Sequence, residues 1–412
     1  MRCWAAAGAV SRLGNASLSD RTEGDAVYCA SHPRDASQGA AVKAYRWHVE
    51  RSQRSEAPAG RRAAGAPSPC DRLRAPDVIT PAVTSVGRSQ RILVVLGACG
   101  LLAVVLTASL ALGVRDVAPS EVWQALVDPT PGNVDHDVVR DQRIPRTVIG
   151  LLAGIGLGLA GVLAQAITRN PLGDPGLLGL NAGASVGIVI AAVWFGITSP
   201  VGAIWFAFAG VAFAAIVVFA IGHGRPVQLA LAGATVTALL TPLSTLFLFQ
   251  DVNALNLLRF WSVGSLVGRE LDTAAALWPF LAFGVVVAAF VAHRLNGLAL
   301  GDDVATALGQ GVGVTRAWAG LAIIALAGTA TALAGPIALV GLVVPHAARR
   351  LVGTDYRWIV PVCAVLGPVM LVTADVIGRL VKSDELEAGV VAALIGAPVL
   401  IAVARSPRVA GL

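Results

Sequence analysis

Lysine is almost missing from this chain, which has only Lys43 and Lys382. Neither follows a glycine-rich phosphate loop, so the polypeptide carries no Walker-type ATP site of its own. Charge of either sign is scarce, at 14% of residues against 56% hydrophobic, and this excludes an ordinary soluble globule. The five cysteines (Cys3, Cys29, Cys70, Cys99 and Cys363) show no metal-ligand spacing and imply no disulfide framework. Ser and His residues stand outside any nucleophile-elbow context. No series of carboxylates or histidines suits a proton relay, which disfavours a self-powered transporter. Neither catalytic residues, nor a bound metal, nor a cofactor is expected, and the chain reads as a non-enzyme.

What is present is apolar sequence in long runs. Residues 92–114 carry no charge and exceed the roughly 20 helical residues that cross a hydrocarbon core. Unpaired backbone groups in hydrocarbon cost several kcal/mol each, roughly, so spans must be helices or a closed barrel. Nothing alternates with period two, so the expected class is all-α: a polytopic membrane protein with about ten helices in a compact bundle. They are expected near 92–114, 147–168, 177–195, 200–221, 227–248, 273–293, 317–334, 337–351, 359–381 and 388–404.

The first 91 residues differ. They are rich in Ala, Gly, Ser, Pro and Arg without a sustained apolar period, and read as a disordered basic extension. Fourteen of the 31 Lys+Arg and eight of the 25 Asp+Glu lie there. The remaining 17 of each sign cancel, and the whole formal charge of +6 sits in this segment. It is either without a role, even an artefact of an upstream start, or an electrostatic attachment to anionic lipid. "CWAAAGAV" is too short and weak for a signal peptide. The transmembrane domain follows at 92–405, then a short tail at 406–412.

Loop charges set a topology. With the extension inside, loop 115–146 is outside and acidic. The inner loops carry Arg169, then His223 and Arg225, then Arg294 and Arg316, then Arg349, Arg350 and Arg357. This positive-inside bias predicts a multi-pass protein of the plasma membrane with both termini cytoplasmic. In "GLVVPHAARRLVG", beginning at Gly341, a Val/Leu run meets the cytoplasmic face. There Arg349 and Arg350 anchor in headgroups and His346 is an interfacial, hydrogen-bonded histidine. Gly150, Gly154 and Gly158, like Gly179, Gly183 and Gly187, repeat at the spacing that lets helix backbones approach. Asp375 is the main intramembrane acid, and Arg379 stands at i+4 to pair with it. "GDDVATALG" (301–309) reads as a short helix between two glycines. Asp302 and Asp303 are at its N-terminus, where the helix dipole favours acids.

Three stretches carry a resemblance: "RIPRTVIGLLAGIGLGLAGVLAQAITRNPLGDPGLLGLNAGAS" (143–185), "LALGDDVATALGQGVGV" (298–314) and "AGPIALVGLVVPHAARRLVGTDYRWIVP" (334–361). With "ADVIGRL" and "GVVAALIGAPVLI" near the end, the chain over 92–405 resembles the permease subunit of iron–siderophore and cobalamin ABC importers. The resemblance implies a permease that pairs with a second copy or a sister permease. Two cytoplasmic ATPase subunits would drive it and an extracytoplasmic binding protein would feed it. The path would run between the two permeases, partly lined by the helix near 227–248. It implies that Gly301, Asp302, Asp303, Ala305, Leu308 and Gly309 form the helix that couples to the ATPase. It also implies that Arg143, Arg146 and Arg379 receive glutamates of the binding protein. A ferric siderophore is the expected cargo, with cobalamin or haem as alternatives, and no nucleic acid partner is expected. A secondary transporter would need intramembrane coupling residues and inverted repeats, and a scaffold would have no use for external arginines.

Overall fold

The ten apolar runs become helices at their expected places, and one of them sits at the centre. The structure is a computed structural model that describes residues 87–115, 117–197, 199–222, 225–248, 252–381 and 386–405. Most of the basic extension (1–86), His223, residues 382–385 with Lys382, and the tail 406–412 lie outside the described residues. In chain order the helices are α1 (Arg88–Ala111), α2 (Pro119–Val127), α3 (Val134–Asp137), α4 (Ile144–Thr168), α5 (Leu180–Phe195), α6 (Pro200–Gly222) and α7 (Pro226–Leu248). They continue with α8 (Val252–Ser262), α9 (Leu271–Ala299), α10 (Asp302–Ala307), α11 (Val312–Ala334), α12 (Val340–Val352), α13 (Tyr356–Val381) and α14 (Ala388–Ala404). A π-helical turn, Val138–Arg143, leads into α4, and a 3-10 turn, Pro175–Leu178, precedes α5. No strand occurs among the described residues. Seven helices among them are long and apolar enough to cross a membrane. α5 and α14 are shorter, and α2, α3 and α8 are short helices that the apolar periodicity did not announce.

α4 is enclosed on all sides, with 20 of its 25 residues buried. Its apolar window is 78% buried, against 11% for α1 at the periphery. A helix can be surrounded like this only where backbones come close, and glycines supply the room. A Cβ on Gly154 would lie 2.5 Å from the backbone of Pro368, and one on Gly158 would lie 2.6 Å from the Cys363 carbonyl, both on α13. A Cβ on Gly156 would lie 2.6 Å from the Leu326 carbonyl of α11, and one on Gly161 would lie 1.9 Å from the Gly341 carbonyl of α12. Three faces of one helix are thus tuned to three neighbours. Gly183 and Gly187 do the same for α5 against Gly210 and Phe206 of α6. Gly179 serves differently, ending the 3-10 turn before α5 with a φ of +77°.

Two segments interrupt the helical pattern inside the bundle. At 13 residues α12 is about 20 Å long, short of the roughly 30 Å hydrocarbon thickness. It is preceded by non-helical backbone at 335–339, which begins at Gly335 (φ +79°) and ends at Leu339 (φ +70°). The connection after α4 also packs inward, so that a Cβ on Gly233 of α7 would strike the Leu177 carbonyl at 2.2 Å. Irregular backbone survives at such depth because protein, not lipid, surrounds it. Gln165 of α4 donates to the carbonyls of Gly341 (3.4 Å) and Leu342 (3.3 Å).

These contacts predict a contrast between two glycines. Gly161→Ala forces the α4 and α12 backbones apart and should cost at least about 2 kcal/mol, the scale of core overpacking. Gly100→Ala, with nothing within 4 Å, should be neutral or gain up to about 1 kcal/mol of helix propensity. Thermal unfolding in detergent checks both; equal midpoints for the two variants would contradict the packing account.

Candidate functional site: the two ends of the bundle

At one end of the bundle, α1 stops with its last carbonyls unsatisfied within the helix, as every helix does. It has no basic residue in its own last turn, and arginines from elsewhere in the chain reach it. Arg379 of α13 donates through Nη1 to the carbonyls of Ser109 (2.9 Å) and Leu112 (3.3 Å), and through Nη2 to the Ser109 hydroxyl (2.7 Å). Arg143, delivered by the π-helical turn, donates through Nη1 to Leu110 and Ala111, both at 2.7 Å, and through Nη2 to the Arg115 carbonyl. Positive charge at a helix C-terminus is also favoured by its dipole. The Asp375 carboxylate then joins two guanidiniums: Oδ1 accepts from Arg146 Nε and Oδ2 from Arg379 Nη2, each at 2.7 Å. Ser109 and Thr147 share a further hydrogen bond of 2.7 Å.

All three arginines expected at a docking surface are therefore deeply set, with 5%, 8% and 4% exposure for Arg143, Arg146 and Arg379. The Asp375–Arg379 pair is present as the sequence spacing suggested. Arg146 is a second partner of the same carboxylate. The three arginines also line a cavity of about 130 Å³, together with Gly113, Val114, Arg115, Val138 and Gln142. α2 and α3 cover this end as a small cap built on Val117, Val122, Ala125 and Val139. Within the cap, His136 Nδ1 accepts from the Thr130 amide (2.9 Å), which leaves Nε2–H to donate to Glu121 (3.1 Å).

At the opposite end α10 forms between the two predicted glycines. Gly301 (φ +118°) and Gly309 (φ +75°) adopt left-handed backbone that L side chains rarely accept, although a Cβ at either would meet open space. Asp302, the first residue of α10, pairs with Arg316 of α11 (2.9 Å) and with Arg169, the left-handed residue that ends α4. Ala305 is fully buried, whereas Asp303 and Gly309 are exposed, as are Leu300 (67%), Val304 (42%) and Leu308 (64%). Those last three stand four residues apart, and for Val304 and Leu308 at the C-terminal end of α10 this puts both side chains on one face. Nearby, Arg349 turns inward and donates to Gln165 Oε1 at 2.6 Å, while Arg350 is exposed. His346 Nδ1 donates to the Leu342 carbonyl at 2.8 Å.

Asp174, in the connection after α4, did not stand out in the sequence. Burial pushes its carboxyl up to about 6, partly offset by the Gly176 amide that donates to it. Its Oδ1 lies 3.2 Å from where a Cβ of Gly341 would be, so it seats the connection beside the first turn of α12. Gln165 and Ser109 carry no signal in the sequence either, each being one of very few polar residues in an apolar run. Among the described residues no group of three His, Cys, Asp or Glu side chains could hold a metal.

The raised Asp174 carboxyl gives a pH prediction. The folded state binds this proton more tightly than the unfolded state. The group's contribution to stability is therefore fully present below about pH 4 and is lost as pH rises through about 6. Asp174→Asn should remove that part of the slope, raising the unfolding midpoint at pH 7.5 relative to wild type and narrowing the difference at pH 5. Parallel pH profiles for the two proteins would contradict it.

The FecCD transport family model matches residues 101–406. The ferric enterobactin transport system permease protein FepD of Escherichia coli (strain K12) is 46% identical over 312 residues, 74% of this chain and 93% of that protein. The iron(3+)-hydroxamate import system permease protein FhuB of Bacillus subtilis (strain 168) is 37% identical over 311 residues, covering 73% and 79%. Among solved structures, an inward-facing conformation of a metal-chelate type ABC transporter superposes with a TM-score of 0.68 at 26% identity. That match covers 76% of this chain and 99% of the other.

Proposed function

Because this chain belongs to the FecCD transport family, we propose that it is the membrane permease of an ABC importer that carries a ferric siderophore into the cytoplasm. The observation that carries this reading is the match to a ferric enterobactin permease at 46% identity along 93% of that protein's length. Hydroxamate and metal-chelate relatives point to the same cargo class. ATP hydrolysis falls to a separate subunit, in keeping with a sequence whose two lysines lie outside any phosphate loop. The working unit is two permeases, two ATPases and one binding protein. The transport domain is 92–405, and both termini are cytoplasmic. On that orientation the α10 end faces the ATPase, and the arginine end faces the binding protein.

The geometry supports a role at each end. α10 presents Val304 and Leu308 as an exposed apolar pair, with Leu300 just before it. Asp302 ties its first turn to α4 and α11 through Arg169 and Arg316. A groove on the ATPase that accepts this face would move α10 together with those two helices. At the other end, the cavity beside Arg143, Arg146 and Arg379 admits a carboxylate from the binding protein, which the guanidiniums attract without leaving their internal partners.

Two experiments test these roles, each in proteoliposomes with the cognate ATPase and binding protein. Leu308→Asp should leave assembly of the permease intact but reduce ATP-driven uptake of a radiolabelled ferric siderophore at least about tenfold, the loss expected when a buried interface anchor is charged. Undiminished uptake would remove α10 from the coupling contact. Gln142→Glu sets a competing carboxylate at the arginine cavity without deleting any buried charge. It should slow binding-protein association about fivefold at low salt, with the difference shrinking as salt screens the encounter. Unchanged association would remove this cavity from the docking surface.

A further inference from the structure

A second cavity, of about 460 Å³, opens between α9 and α13 near the α10 end and has no part in the roles above. Its walls are Val285, Ala289 and Ala292 on α9 and Val360, Pro361 and Ala364 on α13, with Leu159 of α4 behind them. Both wall helices are membrane spans. Their apolar flank, with Val286 67% and Phe290 55% exposed, is a surface for hydrocarbon. The space has a local cause: three alanines leave the walls thin, and Pro361 interrupts the α13 hydrogen-bond ladder.

The mouth of the cavity is polar and cationic. His293 of α9 and Arg357 of α13 line it, and both are exposed. From Val285 to His293 the groove runs about 12 Å along α9, at 1.5 Å per residue. Among the described residues no carboxylate pairs with the Arg357 guanidinium. The nearby Asp355 is engaged by Asn296 (2.8 Å), by the Arg357 backbone amide (3.0 Å) and by Arg91 (3.6 Å). Pro361 has no N–H to offer the Arg357 carbonyl, which leaves an acceptor at the same mouth. Arg294 stands one residue on, its guanidinium 5.3 Å from the centre of the Phe290 ring.

An apolar slot a dozen ångströms deep with a cation at its rim, set where a span meets the headgroup layer, fits one kind of molecule. We propose that this groove is a binding site for an anionic glycerophospholipid. One acyl chain lies between α9 and α13, the phosphate meets Arg357 and His293, and a headgroup hydroxyl donates to the Arg357 carbonyl. The lipid fills the gap beside Pro361 and braces α9, the helix that leads directly into α10.

Native mass spectrometry of the full-length purified permease tests this. The probes are dioleoylphosphatidylglycerol and dioleoylphosphatidylcholine, added together in equal amount. Wild type should retain one phosphatidylglycerol in preference to phosphatidylcholine by about fivefold, as expected for one cation near an anionic headgroup. Arg357→Gln with His293→Gln should bring that ratio close to one while leaving the unfolding temperature of the delipidated protein unchanged, because both side chains are exposed. Ala289→Leu, which narrows the slot and keeps the charges, should reduce retention of the tightly held lipid. Glycerol 1-phosphate at millimolar concentration, lacking the chains, should displace nothing. A wild-type ratio near one, retention indifferent to either variant, or displacement by glycerol 1-phosphate would each overturn the site.

Discussion

One carboxylate holds two guanidiniums at the end of this bundle, and much of the fold there depends on it. Asp375 is 1% exposed and lies between Arg146 of α4 and Arg379 of α13. Removing one member of a buried ionic group costs on the order of 3–5 kcal/mol, because the charge left behind has lost its partner in a low-dielectric surrounding. The arms of Arg379 and Arg143 then take up the open carbonyls of α1. α1 otherwise lies along α13 at the edge of the bundle, with only 11% of its apolar window buried. Polar capping from distant parts of the chain thus fixes the C-terminal end of this peripheral helix, in addition to its packing on α13.

α4 joins that end to the other. Arg146 stands in its first turn, Gln165 in its last, and Arg169 just beyond, about 35 Å away along the axis at 1.5 Å per residue. Its middle is locked by backbone contact at glycine positions, where no side chain is present to yield. Asp302 ties the first turn of α10 to Arg169 at the end of α4. A single central helix thereby carries the polar contacts of both ends of the bundle.

Much of this was legible in the sequence because its signals are local. Apolar runs, most of them as long as a bilayer core, mark the helices, glycines at 301 and 309 bracket α10, and Asp375 with Arg379 is a helical i,i+4 pair. What stayed hidden depends on long-range meetings. Arg146 reaches Asp375 across 229 residues of chain, and nothing near either position announces the other. Ser109 and Gln165 are among the few polar residues in apolar runs, and their partners include backbone carbonyls and distant arginines that no composition reveals. The 337–351 run already marked a short helix at α12, but of the backbone turns at Gly335 and Leu339 that precede it only the glycine is a sequence signal. The same holds for α2, α3 and α8, whose short amphipathic segments sit below the length at which periodicity speaks.

Arg146, Asp375 and Arg379 form one buried ionic unit at the capped end. Thermal unfolding of four proteins in nanodiscs tests it most directly: wild type, Arg146→Met, Asp375→Leu and the double variant. If the charges form one buried unit, each single change should lower the midpoint steeply. The double variant should then recover at least half of the Asp375→Leu loss, since an apolar pair replaces a stranded charge. Losses that simply add in the double variant would contradict the account.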